Sequence, residues 1–202
     1  MIFRPVLSLA LLCLLALPAL AQQPAAPPQR IRGDIAKVEG DMVTVKTRGG
    51  DMVTVKLAEK LAVAGVKKAD FTDVAQGKFV GVASRPQPDG SLVALEVLIF
   101  PETSRGSNEG HYPWDLAPDS MMTNANVAAT VESMNGRVLT LTPKGESVKV
   151  VVPPNVPVVT FVPGERAMIV VGAHVLVVAV KGADGSLTSG RVLVGVDIVP
   201  PM

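Results

Sequence analysis

Most of this chain is written twice, and that constrains its fold more than any other feature. Glu39-Gly40-Asp41-Met42-Val43-Thr44-Val45 returns about 96 positions later as Asn135-Gly136-Arg137-Val138-Leu139-Thr140-Leu141. In the same order, Gly49 is matched by Gly145, Val53-Thr54-Val55 by Val148-Lys149-Val150, and Gly77 by Gly172. Asp89-Gly90-Ser91-Leu92 is matched by Asp184-Gly185-Ser186-Leu187. Order and spacing hold with one residue of drift, which duplication explains and chance does not. The chain must therefore fold as one small structural unit used twice, joined by whatever lies between the copies.

Within each copy the apolar residues recur with period two. Val43 and Val45 share a face, as do Val53, Val55 and Leu57, then Val80 and Val82, then Val93, Leu95, Val97 and Ile99. Such alternation marks strands with one face packed inward. Valine is abundant and aromatics make up only 3% of the chain; a branched Cβ suits the pleated strand better than the helix. Eighteen glycines and seventeen prolines cut the chain into short pieces. The Asp-Gly pairs predict tight hairpins with positive φ at both central positions. Lys67 to Gln76 leaves room for one helical turn ended by Gly77, whereas Pro153, Pro154, Pro157 and Pro163 predict an extended connector in the second copy. Four or five short strands per copy predict an all-β protein, two tandem small OB-like β-barrels related by internal repeat, at 30–100 and 127–202. The runs Val148 to Val152 and Val175 to Val180 are apolar on both faces. One face is expected to fill its barrel and the other to meet the sister barrel.

The N-terminus reads as an address. Arg4 is the only charge before an apolar run from Val6 to Leu17, followed by Pro18 and the small-residue site Ala19-Leu20-Ala21. These are the parts a signal peptidase reads, and the apolar stretch falls short of the roughly 20 residues that span a bilayer. Cleavage is expected after Ala21, with residues 22–29 as a mobile Pro/Gln/Ala leader and the periplasm as the compartment. Cys13, the one cysteine, has Leu12 where lipidation needs a small residue, and it leaves with the signal. The mature chain then has no thiol for disulfides, zinc-thiolate sites or nucleophilic catalysis. Losing Arg4 reduces 19 Lys plus Arg to 18, against 18 Asp plus Glu. A balanced charge argues against nucleic acid, which is bound through clustered cations.

The Gly-x-Val-x-Val/Leu start, the glycine before a Val-rich strand and the Asp-Gly-Ser-Leu hairpin resemble the bacterial DUF5666 domain, a small β domain of unknown function in exported proteins. With the central His111-Tyr112-Pro113-Trp114-Asp115-Leu116 segment included, the chain is similar to a set of proteobacterial exported proteins that automatic naming labels "metal ABC transporter permease". A permease spans the membrane with apolar helices, and nothing after residue 21 is long and apolar enough without charges or prolines. No transmembrane segment is expected once the signal is removed.

Residues 101–126 belong to neither repeat. They hold the only Tyr, the only Trp, one of two histidines and the adjacent Met121 and Met122. As a ligand patch, Tyr112 and Trp114 would supply a flat apolar surface, with His111, Asp115 and Asp119 adding polar and charged groups. As a strap, the plainer reading, Trp114 would plug the seam between barrels while Asp115 or Asp119 caps turns. His111, Met121 and Met122 are soft ligands suited to copper(I), but without a His-x-His or Met-x-Met cluster. His174, where the first copy has Phe79, reads as a packing or surface residue. No Gly-x-Ser-x-Gly elbow or phosphate loop is present. Asp115 and Asp119 are the carboxylates a hydrolase would use. The expectation is a non-enzymatic exported module, without cofactor, that binds a small ligand or an envelope protein. A metal-handling accessory (copper or zinc) and a hydrolase are the alternatives.

Overall fold

The computed structural model describes residues 27–134 and 136–200. The expected signal segment and most of the leader lie outside them. Twelve strands follow in chain order: β1 (Gln29–Glu39), β2 (Met42–Thr47), β3 (Met52–Lys68), β4 (Phe79–Pro86), β5 (Leu92–Ile99), β6 (Gly110–Pro113), β7 (Met121–Ser133), β8 (Gly136–Thr142), β9 (Val148–Val152), β10 (Val158–Pro163), β11 (His174–Lys181) and β12 (Leu187–Val196). The protein is all-β, as the alternating branched residues predict. No helix among the described residues is long and apolar enough to cross a membrane.

Five strands close a barrel. β1 pairs antiparallel with β2 and β2 with β3; β3 runs parallel to β12, β12 pairs antiparallel with β11, and β11 returns to β1. Ile35, Val45, Val55, Val177 and Val192 fill its interior. A second circuit of pairings runs from β4 to β5, in parallel from β5 to β9, then through β8 and β7 back to β4. It encloses Val80, Val82, Val97, Leu139, Leu141 and Val150. β10 bridges the two, antiparallel to β3 and parallel to β5. Val66, Leu98, Val159, Leu176 and Leu193 are buried together as a third cluster in the seam. Strands apolar on both faces serve both layers: in β11, Val175 and Val177 face their barrel while Leu176 faces the seam.

Each circuit draws strands from both halves of the chain, so the expected barrels at 30–100 and 127–202 do not match the pairings. β4 and β5 complete the circuit of β7, β8 and β9, while β11 and β12 complete that of β1, β2 and β3. The two hairpins share one alternation and one Asp-Gly turn, so the sequence pattern fits either circuit. β3 links the two circuits. At 17 residues it is roughly 55 Å long, taking about 3.3 Å per residue. One edge pairs with β2 at Met52–Lys56 and with β10 at Ala64–Lys68, while the strand stays paired with β12 as far as Lys67. The Phe71–Asp73 turn, capped by Asp70, then starts β4 in the other circuit.

Two local details also depart from the pattern. Gly90 and Gly185 have φ of +81° and +83°, but Asp89 and Asp184 are not among the positive-φ residues. Each aspartate instead accepts the backbone N–H and hydroxyl of the serine two residues on (Ser91, Ser186). In β5, pairing with β4 slips past Leu95. This bulge takes Leu95 off the inward face expected for it and buries Ala94 there instead.

Candidate functional site: the seam cavity

The first barrel presents an ordered outer face to the seam. Arg30 on β1 pairs with Val178 on β11, and Val178 with Arg191 on β12. Two residues along, Arg32 pairs with Leu176 and Leu176 with Leu193. Period two puts both rows on the same side, so arginines flank a floor of Leu176, Val178 and Leu193. Opposite stand Leu98 and Phe100, Phe161 of β10, and Met122 and Asn124 of β7. Tyr112 and Trp114 form a side wall. With Arg30 and Arg191 these residues line a half-open cavity of about 220 Å³.

The wall is held from several directions. Trp114 N–H donates to the Ser120 carbonyl at 2.7 Å. The buried Ser120 hydroxyl lies 3.0 Å from the Trp114 carbonyl and 2.8 Å from that of Ala117, closing the 114–120 loop. Tyr112 meets Trp114 edge to face at 6.1 Å, and Asn124 Nδ2 donates to the Tyr112 hydroxyl at 3.0 Å and to the Ser107 and Asn108 carbonyls. The Arg30 guanidinium stacks on Trp114 at 3.8 Å. Asp115 accepts from Arg32 at 2.8 Å and from Arg30 at 3.4 Å, tying the loop to the first barrel. Arg105 grips Glu102, Asn126 and the Gly77 carbonyl on the other side. Residues 101–120 are therefore a strap across the seam. Its last part, residues 121–126, is already strand β7 and belongs to the second circuit.

Electrostatics follow from these contacts. Burial acts to raise the Asp115 pKa, but hydrogen bonding and charge from Arg32, then Arg30, outweigh it and hold the carboxyl below its ordinary range. Burial raises the Tyr112 phenol, opposed by Arg30. Glu96 is buried on β5, one residue past the bulge. Burial pushes its carboxyl up to about 8 against the pull of Arg32 and Arg48, and neither oxygen has a hydrogen-bond partner among the described residues. Trp114 Nε1 and Asn124 Oδ1 are likewise buried and without partners there.

Of the residues expected at a site, the structure brings Tyr112, Trp114 and Met122 to the cavity and Asp115 to its rim. His111 lies on the opposite face of β6, where Nδ1 shares a hydrogen bond of 2.8 Å with Thr123 Oγ1. Adjacent positions on a strand face opposite ways, so Met121 points away from Met122, and His111, Met121 and Met122 do not converge on one point. Among the described residues no group of three or more His, Cys, Asp or Glu is placed to hold a metal ion. Asp119 takes the left-handed φ of +57° in the turn that ends at Ser120, a conformation aspartate tolerates; this is a turn-forming position, separate from the ion pairs of Asp115. His174 pairs with Asp34 at the surface.

Sequence reasoning missed Arg30, Arg191, Phe100, Phe161 and Asn124 in the cavity wall, and the buried Glu96 on β5. The available signals were a lone acid inside the apolar run of β5 and the scarcity of phenylalanine, of which three of the five form a chain: Phe79–Phe100 at 5.3 Å and Phe100–Phe161 at 5.9 Å. In comparisons with protein-family models, curated proteins and solved structures, the chain matches none.

Proposed function

We propose that this chain is an exported, non-enzymatic binding module built from two DUF5666-like, OB-like barrels, and that its ligand seat is the seam cavity. The observation that carries this reading is the cavity itself. The only Trp and Tyr of an aromatic-poor chain are fixed in one wall of a half-open, mostly apolar space between the two circuits. Concave apolar spaces with a few oriented polar groups are the usual form of small-molecule sites. At about 220 Å³ it lies below their common range of roughly 300–1,000 Å³, which fits a single-ring or branched-chain molecule.

The OB-like reading is supported by the circuit order, first strand to second to third, with the third parallel to the last. The repeat is supported by matching irregularities. Pairing skips Ala36 in β1 and Ala128 in β7, then Leu95 in β5 and Gly190 in β12. Capped turns at Phe71–Asp73 and Arg166–Met168 precede β4 and β11 alike. We read the module as a binder because the acid at the cavity rim, Asp115, is occupied in holding the strap.

The test is a panel of single-ring compounds followed by Trp114 fluorescence and thermal shift. The native chain should respond saturably, and Leu193→Phe, which fills the floor, should abolish the response while the fold persists by circular dichroism. An equal response from Leu193→Phe would place the binding elsewhere.

A further inference from the structure

The two arginines beside the cavity floor say what kind of molecule it takes. Arg30 and Arg191 stand one on each side of Val178, on strands two apart, so their Cα atoms are separated by roughly 10 Å at about 4.8 Å per strand. Each guanidinium lies against an aromatic face of the cavity wall, Arg30 over Trp114 at 3.8 Å and Arg191 over Phe161 at 5.7 Å. Stacking through the face leaves the N–H groups directed outward in the guanidinium plane, the geometry that grips carboxylate or phosphate oxygens in pairs. Asp115 reaches this cluster, and it approaches Arg32 more closely than Arg30. Between the arginines the floor is purely aliphatic, with Leu176 and Leu193 almost fully buried.

We propose that the cavity binds a compact organic monoanion, with its apolar body over Leu176, Val178 and Leu193 and its anionic group between Arg30 and Arg191. This rests on the cavity being the ligand seat and adds the chemical class of the ligand. Both halves of the molecule are required. A bare anion leaves the aliphatic floor unused, and a neutral or cationic ring gains nothing from the arginines.

The experiment titrates the full mature chain with benzoate, benzyl alcohol, benzylamine and inorganic phosphate, reading the fluorescence of Trp114, the single tryptophan. Benzoate should bind at least tenfold more tightly than benzyl alcohol, with benzylamine and phosphate weaker still. In Arg191→Gln, whose native side chain is exposed, the preference for benzoate over benzyl alcohol should fall to within about threefold. Asp115→Asn, which removes the competing carboxylate, should tighten benzoate severalfold. Equal affinity for benzoate and benzyl alcohol in the native chain would overturn the anion assignment and leave the apolar seat standing. So would a preference that survives Arg191→Gln, or phosphate binding as tightly as benzoate. Absence of any response to the ring compounds would overturn the seat itself.

Discussion

Replacing Glu96 by glutamine should change how stability depends on pH, and by an amount the structure sets. Glu96 is about 1% exposed and neither of its oxygens is hydrogen-bonded within the described residues. Burial holds its carboxyl neutral until about pH 8, against an ordinary value of 4.5, although Arg32 and Arg48 favour the ionised form. Because the folded pKa is raised, the folded state keeps a proton that the unfolded state releases between pH 4.5 and 8, so stability falls as pH rises through that window. At about 1.4 kcal/mol per pH unit, Glu96 should cost roughly 4 kcal/mol between pH 5 and 8. Glutamine is nearly isosteric and does not titrate; its own unsatisfied amide adds a constant penalty. Urea denaturation of both proteins at pH 5, 6.5, 8 and 9 isolates the effect as a difference curve. The native chain should lose stability relative to Glu96→Gln by several kcal/mol from pH 5 to 8 and no further by pH 9. A difference that stays constant within about 1 kcal/mol would refute the reasoning, because the carboxyl would then be hydrated or paired in the folded state.

Three further outcomes follow from the same geometry. A protease nick in the exposed Gly106–Asn108 loop should leave the fragments together on gel filtration until denaturant is added, because each circuit needs strands from both sides of the cut; fragments that separate in buffer would contradict the interleaving. Gly33→Ala should destabilise by about 3 kcal/mol in chemical denaturation, at the upper end for overpacking, since its Cβ would lie 2.0 Å from the Lys46 carbonyl oxygen where β1 pairs with β2; a change below 0.5 kcal/mol would show that the pairing there is looser. Asp115→Asn should cost less than about 1 kcal/mol at pH 7, because the carboxylate is 46% exposed and exposed pairs contribute little. Its contribution is present above the ordinary carboxyl range and should vanish as pH falls through the lowered pKa of Asp115.

Strand content and the seam were legible in the sequence because both depend on local pattern. Val175 and Val177 alternate with Leu176, and each set found its own layer. The exchange of hairpins between circuits was not legible. The β4–β5 and β11–β12 hairpins carry equivalent alternation, so a period-two pattern does not distinguish which circuit each completes. The inward face of β5 was misassigned for a similar reason, since a one-residue bulge at Leu95 leaves no mark in a period-two pattern. At the site, rarity pointed to Tyr112 and Trp114. Arg30, Arg191 and Phe161 come from three separate strands, and only the pairing register brings them to one cavity.

The seam cavity as ligand seat is tested most directly by the indole N–H resonance of Trp114 in a two-dimensional amide spectrum, where one tryptophan gives one peak. Adding benzoate should move that peak saturably, together with backbone peaks of Leu176, Val178 and Leu193, while those of the β1–β2 hairpin tip at Val38 and Met42 stay in place. An indole peak that remains still at millimolar benzoate while others move would contradict the account.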